Sequence, residues 1–369
     1  MKALLIILCS AIYFVGYSQT QISLTESHVP GFKNLFSTQM RPGVSCYRIP
    51  AMVTAPNGDL VAAIDERVLS CGDLKWNKDI NIVIRRSPDN GVSWSEMETV
   101  VDYPLGKSAS DPSMIVDKET STIFLFFNFM DLENEKDVYY LKVIKSADNG
   151  KTWSAPIDIT SQITKPEWHN DFKFITSGRG IQTSRGKLLH TLVNLENGLY
   201  LFGSDDHGES WHFIDTPIIP GDESKIVELV DGSWMINSRV NGKGTRLVHL
   251  SSDEGKTWQS RADTSLIDPG CNASLIRYTS IKEGADKNRL LFANAKMKDD
   301  RRNMTIRISY DEGKSWTEGK TIYEGSAAYS SMTILPNGEV GLFFEKDNYQ
   351  ENVFVLLTLD WLTDGKDDY

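Results

Sequence analysis

Ser87-Pro88-Asp89-Asn90-Gly91-Val92-Ser93-Trp94 is the stretch from which the fold can be read. The same phrase, Ser-x-Asp-x-Gly-x-(Ser/Thr)-Trp, returns at Ser146–Trp153, Ser204–Trp211, Ser251–Trp258 and Ser309–Trp316. One Asp/Gly turn carries little information. Five in phase, with 59, 58, 47 and 58 residues between successive tryptophans, mean an internal repeat, the mark of a propeller or another array. The Asp carboxylate can bind nearby backbone N–H groups and fix the turn, as the Ser hydroxyl can more weakly. Gly supplies a positive φ. Trp buries a large ring whose N–H seeks one acceptor. The octads are expected to be structural pins, because five similar copies around one chain cannot all be one active site.

Between the octads runs a second periodic signal, a short polar turn leading into an apolar strand. Asn57-Gly58 precedes Leu60–Ile64, Arg185-Gly186 precedes Leu188–Val193, Asp231-Gly232 precedes Trp234–Ile236, and Asn337-Gly338 precedes Val340–Phe344. Looser versions are Asp117–Ser121 before Thr122–Phe127 and Ser280–Lys287 before Leu290–Ala293. These hairpin signals outnumber the octads by one. Each unit reads as four strands, so the predicted fold is all-β, a six-bladed β-propeller of four-stranded antiparallel blades. In the last unit the octad is replaced by Asp360-Trp361. The segment around Ile22–Phe36 is expected to supply its fourth strand, closing the ring and removing an exposed edge.

The chain has 369 residues and a net charge of −11. That charge argues against nucleic acid or an anionic membrane surface as the main partner, and an anionic ligand would need a local cationic pocket. Met1 to about Ser18 reads as a secretory signal peptide: Lys2, an apolar run from Ala3 to Val15, then Gly16 and Ser18. Bulky Leu8 before Cys9 disfavours a lipoprotein signal. No later stretch looks transmembrane. Residues 19–369 are expected to form a single domain and a monomer, periplasmic, on the cell surface or secreted. Cys46, Cys71 and Cys271 allow at most one internal disulfide plus a free thiol. Neither they nor the histidines have metal-ligand spacing.

Alternating strands assign residues to the two faces of such a ring. Arg48, Asp111, Glu223 and Tyr329 open first strands. Arg67, Asp73, Arg239, Arg301 and Glu345 fall at the ends of second strands or in the loops after them. All map to one face, and first strands are innermost, so an arginine-rich pocket for an anion is expected near the axis.

Tyr47-Arg48-Ile49-Pro50 followed by the octads resembles the exo-α-sialidases (neuraminidases) in their bacterial secreted form, over nearly the whole mature chain. The resemblance implies a six-bladed propeller. It also implies that Arg48, Arg239 and Arg301 hold the substrate carboxylate. Arg301 is selected over Arg302 because the family pattern is Arg-x-Asn-(Leu/Met/Gly). Asp73 resembles the loop acid/base and Tyr329 the nucleophile. Glu223 resembles the glutamate that activates Tyr329, chosen over Glu228 by its spacing from Arg239. Glu345 resembles the carboxylate that holds Arg48. Arg67 and Asp111 resemble residues bordering the 4-hydroxyl and N-acetyl side of the sugar.

The residue types suit the implied chemistry, hydrolysis of terminal α-linked sialic acids. Three guanidinium groups can fix a carboxylate through charge-assisted bonds. A carboxylate nucleophile would meet the substrate's negative charge at close range; a phenol avoids this but needs a base. Tyrosine nucleophiles in sialidases are a known exception to the two-carboxylate rule for glycosidases. Two displacements would give net retention, without a cofactor or metal. Transfer to another sugar, or an intramolecular reaction giving an anhydro product, is compatible with the same residues. So is a non-catalytic propeller of the same repeats that binds glycan or protein, though such a module would need neither Tyr329 nor Asp73 nor the arginines.

Overall fold

The structure, a computed structural model, describes residues 31–367; the signal-like segment Met1–Ser18 lies outside them. Small antiparallel sheets succeed one another along the chain in a propeller-like arrangement. Cys46–Thr54, Leu60–Arg67, Ile80–Ser87 and Glu98–Val101 form the first. Lys107–Asp117, Thr122–Asp131, Tyr140–Ser146 and Ile157–Asp158 form the second, with Gly178–Arg179 added in parallel along Lys107–Asp117. The third is built on Leu188–Asn194, Gly198–Ser204 and His212–Ile218. Its inner edge is split into Lys173–Ile175 and Ile181–Gln182. Ser224–Glu228, Trp234–Ser238, Thr245–Ser251 and Gln259–Ile267 form the fourth.

The rest departs from expectation. The described strands fall into five sheets, not six separate sheets of four strands. The last sheet has seven strands. The cause is Lys320–Ile334, a 15-residue strand. Its first part pairs with Arg302–Ser309 and its second with Val340–Lys346, so it fuses the last two predicted units. Lys33–Ser37 pairs with Glu351–Leu357 at the outer edge, in the place foreseen for the N-terminal segment. The short helix Leu359–Thr363 stands where an octad was missing.

Apolar clusters fill the spaces between neighbouring sheets, and they run in a closed circle. Val61, Ala63 and Ile84 of the first sheet meet Met114, Leu125 and Phe127 of the second. Phe124 and Phe126 meet Leu188, Phe202 and Trp211 of the third. Leu189 and Leu201 meet Ile226, Trp234 and Ile236 of the fourth. Val227 and Met235 meet Leu275, Leu290 and Phe292. Ile306 and Leu291 meet Leu342, Phe344 and Val355 within the seven-stranded sheet. Phe343 and Phe354 then meet Met52, Ala62 and Ile64 of the first sheet.

The octads are the pins of this circle. In the first, Ser87 donates to Asp89 (2.9 Å) and accepts from the Gly91 N–H (2.8 Å), while Asp89 accepts from the Ser93 N–H (2.8 Å) and hydroxyl (2.5 Å). The same bonds recur at Asp148, Asp206, Asp253 and Asp311. Hydrogen bonds from the turn hold the carboxylates of Asp148, Asp206 and Asp253 down at about 2. The residue before each Gly also takes a positive φ: Asn90, Asn149, His207, Glu254 and Glu312. Asn eases that conformation at two of these positions. One expectation fails: the indole N–H groups of Trp153, Trp258 and Trp316 are buried without an acceptor among the described residues, whereas that of Trp94 donates to the Gly91 carbonyl (3.2 Å).

The octad Gly often has a packing reason as well as a conformational one. A Cβ on Gly91 would meet the Phe354 ring at 2.2 Å, and one on Gly208 the Phe124 ring at 2.3 Å; both rings belong to the preceding sheet. Gly208→Ala combines an unfavourable φ of +80° with overlap onto a ring that Trp211 already packs against. We expect it to cost about 2 kcal/mol and to lower the melting temperature by about 3 °C, with activity at 25 °C retained. A melting temperature within a degree of the parent would show that these turns do not pin neighbouring sheets.

Candidate active site

The site lies where inner strands bulge. Register shifts occur between Arg48 and Ala51, between Ser110 and Ser113, and between Ala327 and Ser330. Each bulge frees backbone N–H groups from the ladder and re-aims side chains. Ile49 and Asp111 sit in these bulges with φ of 68° and 62°, conformations a β-branched residue rarely adopts. Two fully buried carboxylates collect the freed donors. Glu345 accepts from the N–H of Ile49 (2.9 Å) and of Tyr329 (3.0 Å), and from Arg48 Nε (2.7 Å). Asp65 accepts from the N–H of Asp111 (2.9 Å), the hydroxyl of Ser110 (2.6 Å) and both Nε and Nη2 of Arg67 (3.2 and 3.0 Å).

Asp65 and Glu345 occupy equivalent places, each ending the apolar run of a second strand. Asn128, Asn194, Asn237 and Asn294 occupy the same place in the remaining units, and all are fully buried. Reading the sequence picked out Glu345 alone. Aligning the second strands of the repeat would have exposed the whole set, because a polar residue ends each apolar run.

Tyr329 is the centre of the cluster. Its phenol donates to Glu223 Oε2 at 2.5 Å, and its Oη accepts from Arg239 Nη1 at 3.0 Å. Arg239 Nη1 also donates to Glu223, and its Nε donates to Asn241 Oδ1 (2.8 Å). Arg48 and Arg301 flank the tyrosine ring, with guanidinium carbons 5.6 and 5.5 Å from its centre. Burial, then the charge of Glu223, push the Tyr329 phenol well above its usual value, against the opposing pull of Arg239 and Arg301. Burial disfavours the charged form of Arg48, but Glu345 outweighs it and keeps the guanidinium protonated.

The remaining candidates line the same face. Arg67 bridges Asp65 to the loop, donating through Nη1 to the Cys71 carbonyl (2.9 Å) and to Asp73 Oδ1 (2.7 Å). Asp73 itself is exposed. Asp111 accepts from Asn128 (3.0 Å), and burial, then the nearby Asp65, raise its carboxyl above the ordinary range. Arg302 is exposed and Glu228 accepts from Ser184, whereas Arg301 and Glu223 lie against Tyr329.

Two further residues escaped sequence reading. Tyr349 lies under Arg48, 3.9 Å from guanidinium carbon to ring centre, and accepts from Arg301 (3.3 Å), tying two of the arginines together. It follows Asp347 and Asn348 in a run of positive φ, which no hydrophobic period could reveal. Lys225, on the strand Ser224–Glu228 that follows Glu223, is buried and donates to Asn272 (2.6 Å), and burial pulls it down to about 7.

A buried phenol donating to a carboxylate amid three guanidinium groups is an arrangement that can hold a small anion. The family profile of the BNR repeat-like domain matches residues 58–342, most of the chain, and the chain belongs to that family. It is 35% identical over 363 residues to a sialidase of Micromonospora viridifaciens, covering 89% of this chain and 55% of that one. It is 29% identical over 333 residues to a sialidase of Bacteroides fragilis, covering 82% and 60%. Among solved structures, the Hadza microbial sialidase Hz136 superposes with a TM-score of 0.78 at 30% identity, covering 86% of this chain and 66% of that one. The chain thus spans only somewhat over half the length of these two curated relatives.

Proposed function

We propose that the protein is a retaining exo-α-sialidase that removes terminal sialic acids from glycans through a covalent bond to Tyr329. The observation that carries this reading is the 2.5 Å contact from the Tyr329 phenol to Glu223, set among Arg48, Arg239 and Arg301. A phenol held well above its usual pKa is a poor nucleophile until a base takes its proton, and Glu223 is placed to do so as the bond forms. The arginines would hold the substrate carboxylate and neutralise it beside the reacting carbon. Asp73, exposed on the open side and oriented by Arg67, would protonate the leaving oxygen and then activate water. Arg67 and Asp111 would border the sugar's 4-hydroxyl and N-acetyl side.

We further infer that the ring counts six blades. On this reading the seven-stranded sheet is two blades sharing Lys320–Ile334. Its support is the closed circle of apolar clusters and the recurrence of a buried polar residue at the same place in every unit. We also infer export; the signal-like Met1–Ser18 and a disulfide between Cys46 and Cys71 both fit an oxidising compartment.

Proton NMR of an aryl sialoside digest tests the chemistry. The first product is expected to be the α-anomer of sialic acid, with the β-anomer growing in later by mutarotation. β-Anomer first, or no release at all, would overturn the reading.

A further inference from the structure

We infer that the Cys46–Cys71 disulfide is a positioning element for the acid/base loop, and that its reduction selectively costs the protein substrates whose leaving group must be protonated. This rests on the reading of Asp73 as the acid/base.

The loop has few other anchors. Leu69, Ser70, Cys71, Asp73 and Trp76 are exposed, and Lys75 pairs with Asp137 at the surface. Leu74 and Asn77 turn inward, Leu74 onto Met130 and Tyr139, and the Asn77 carbonyl accepts from the Ser108 hydroxyl (2.6 Å) at the far end of the loop. Turn contacts within the loop, Trp76 N–H to the Asp73 carbonyl (2.7 Å) and Asn77 to the Ser70 carbonyl (2.7 Å), shape it without tying it to the sheet. Among the described residues, two ties hold Cys71 and Asp73 themselves to the first sheet. One is Arg67, whose Nη1 holds both the Cys71 carbonyl and the Asp73 carboxylate. The other is covalent. Cys46 is buried, lies directly opposite Arg67 in the strand ladder, and precedes Arg48 by two residues. Its bond to Cys71 therefore locks the loop to the strand that presents the first arginine, two residues before Asp73. Losing it frees the Cys71 carbonyl from Arg67 and lets an exposed carboxylate wander from the leaving oxygen. The nucleophile and the arginines, held by Glu345, Glu223 and Tyr349, keep their places.

The exposed partner, Cys71, is open to a dithiol. Attack of one thiolate on the Cys71 sulfur breaks the Cys46–Cys71 bond and expels the Cys46 thiolate, which takes a proton. The second thiol then closes the reagent into its cyclic disulfide and releases Cys71 as a thiol, a two-electron, two-proton exchange.

The experiment compares two leaving groups in the full chain: 3′-sialyllactose, whose sugar alkoxide needs a proton, and 4-nitrophenyl sialoside, whose phenolate does not. Wild type with and without dithiothreitol, the C46S/C71S double variant, C271S and D73A are assayed side by side. We expect reduction and the double variant each to lower kcat/KM on sialyllactose by about tenfold or more, part of the roughly 10²–10⁴ that general acid catalysis supplies. The aryl substrate should change by less than about threefold, since it needs little acid catalysis. Reoxidation should restore the loss, dithiothreitol should do nothing further to the double variant, and C271S should respond like wild type. Equal loss on both substrates, or none on either, overturns the inference. If the double variant fails to fold, reversible reduction of folded wild type decides by the same two outcomes. D73A separates the failures: no dependence on leaving group there defeats the acid/base reading itself. Dependence in D73A without it in the reduced protein defeats the role of the disulfide alone.

Discussion

Tyr329→Phe is expected to lower kcat/KM by at least about 10³-fold, the scale seen when a nucleophile is deleted from an otherwise intact site. The substitution removes one oxygen and leaves the ring between Arg48 and Arg301. Folding should survive, because Glu223 keeps its bond from Arg239. Binding should survive too, because no arginine is touched. KM for an aryl sialoside should therefore move by much less than kcat. A variant with more than about a tenth of parental kcat/KM would rule out Tyr329 as the covalent partner, since nucleophile deletions do not leave such activity.

Glu345→Gln should damage both stability and activity. Glu345 is fully buried and accepts from Arg48, from Ile49 N–H and from Tyr329 N–H. An amide of the same size offers one acceptor oxygen and sets its own N–H groups against donors. It also leaves the Arg48 charge without its partner. Breaking a buried pair from one side costs about 3–5 kcal/mol, and urea unfolding would read it. The bulges that aim Arg48 and Tyr329 depend on the same carboxylate, so kcat/KM should fall by about 10²-fold, as for displaced catalytic groups elsewhere. Unchanged urea midpoint and kinetics would show that the bulges hold without it.

The repeat made most of the fold legible. Five octads fix where fourth strands begin, and the hairpin turns fix the second strands. What could not be read was the continuity of Lys320–Ile334: no local signal marks where one strand stops serving one neighbour and starts serving the next. The site was legible wherever a charged residue stood beside a distinctive neighbour, as in Arg48-Ile49-Pro50. Tyr349 was hidden because its place depends on a left-handed run, a property of backbone and not of pattern. Asp65 was hidden for another reason. Asp65-Glu66-Arg67 looks like a solvated charge run, and only the bulge at Asp111 turns the first of these acids into a buried acceptor for a backbone N–H on the neighbouring sheet.

The pairing of Lys33 with Phe354 joins residues 321 positions apart. A chain made from its N-terminus carries that early strand unpaired until all the other described strands exist. Loop-closure entropy and high contact order make such a late latch slow to engage. Until it engages, Glu351–Leu357 presents a bare edge to other nascent copies. The closing of this pair is thus a step exposed to mispairing between molecules, and a free peptide matching Lys33–Ser37 would compete for it.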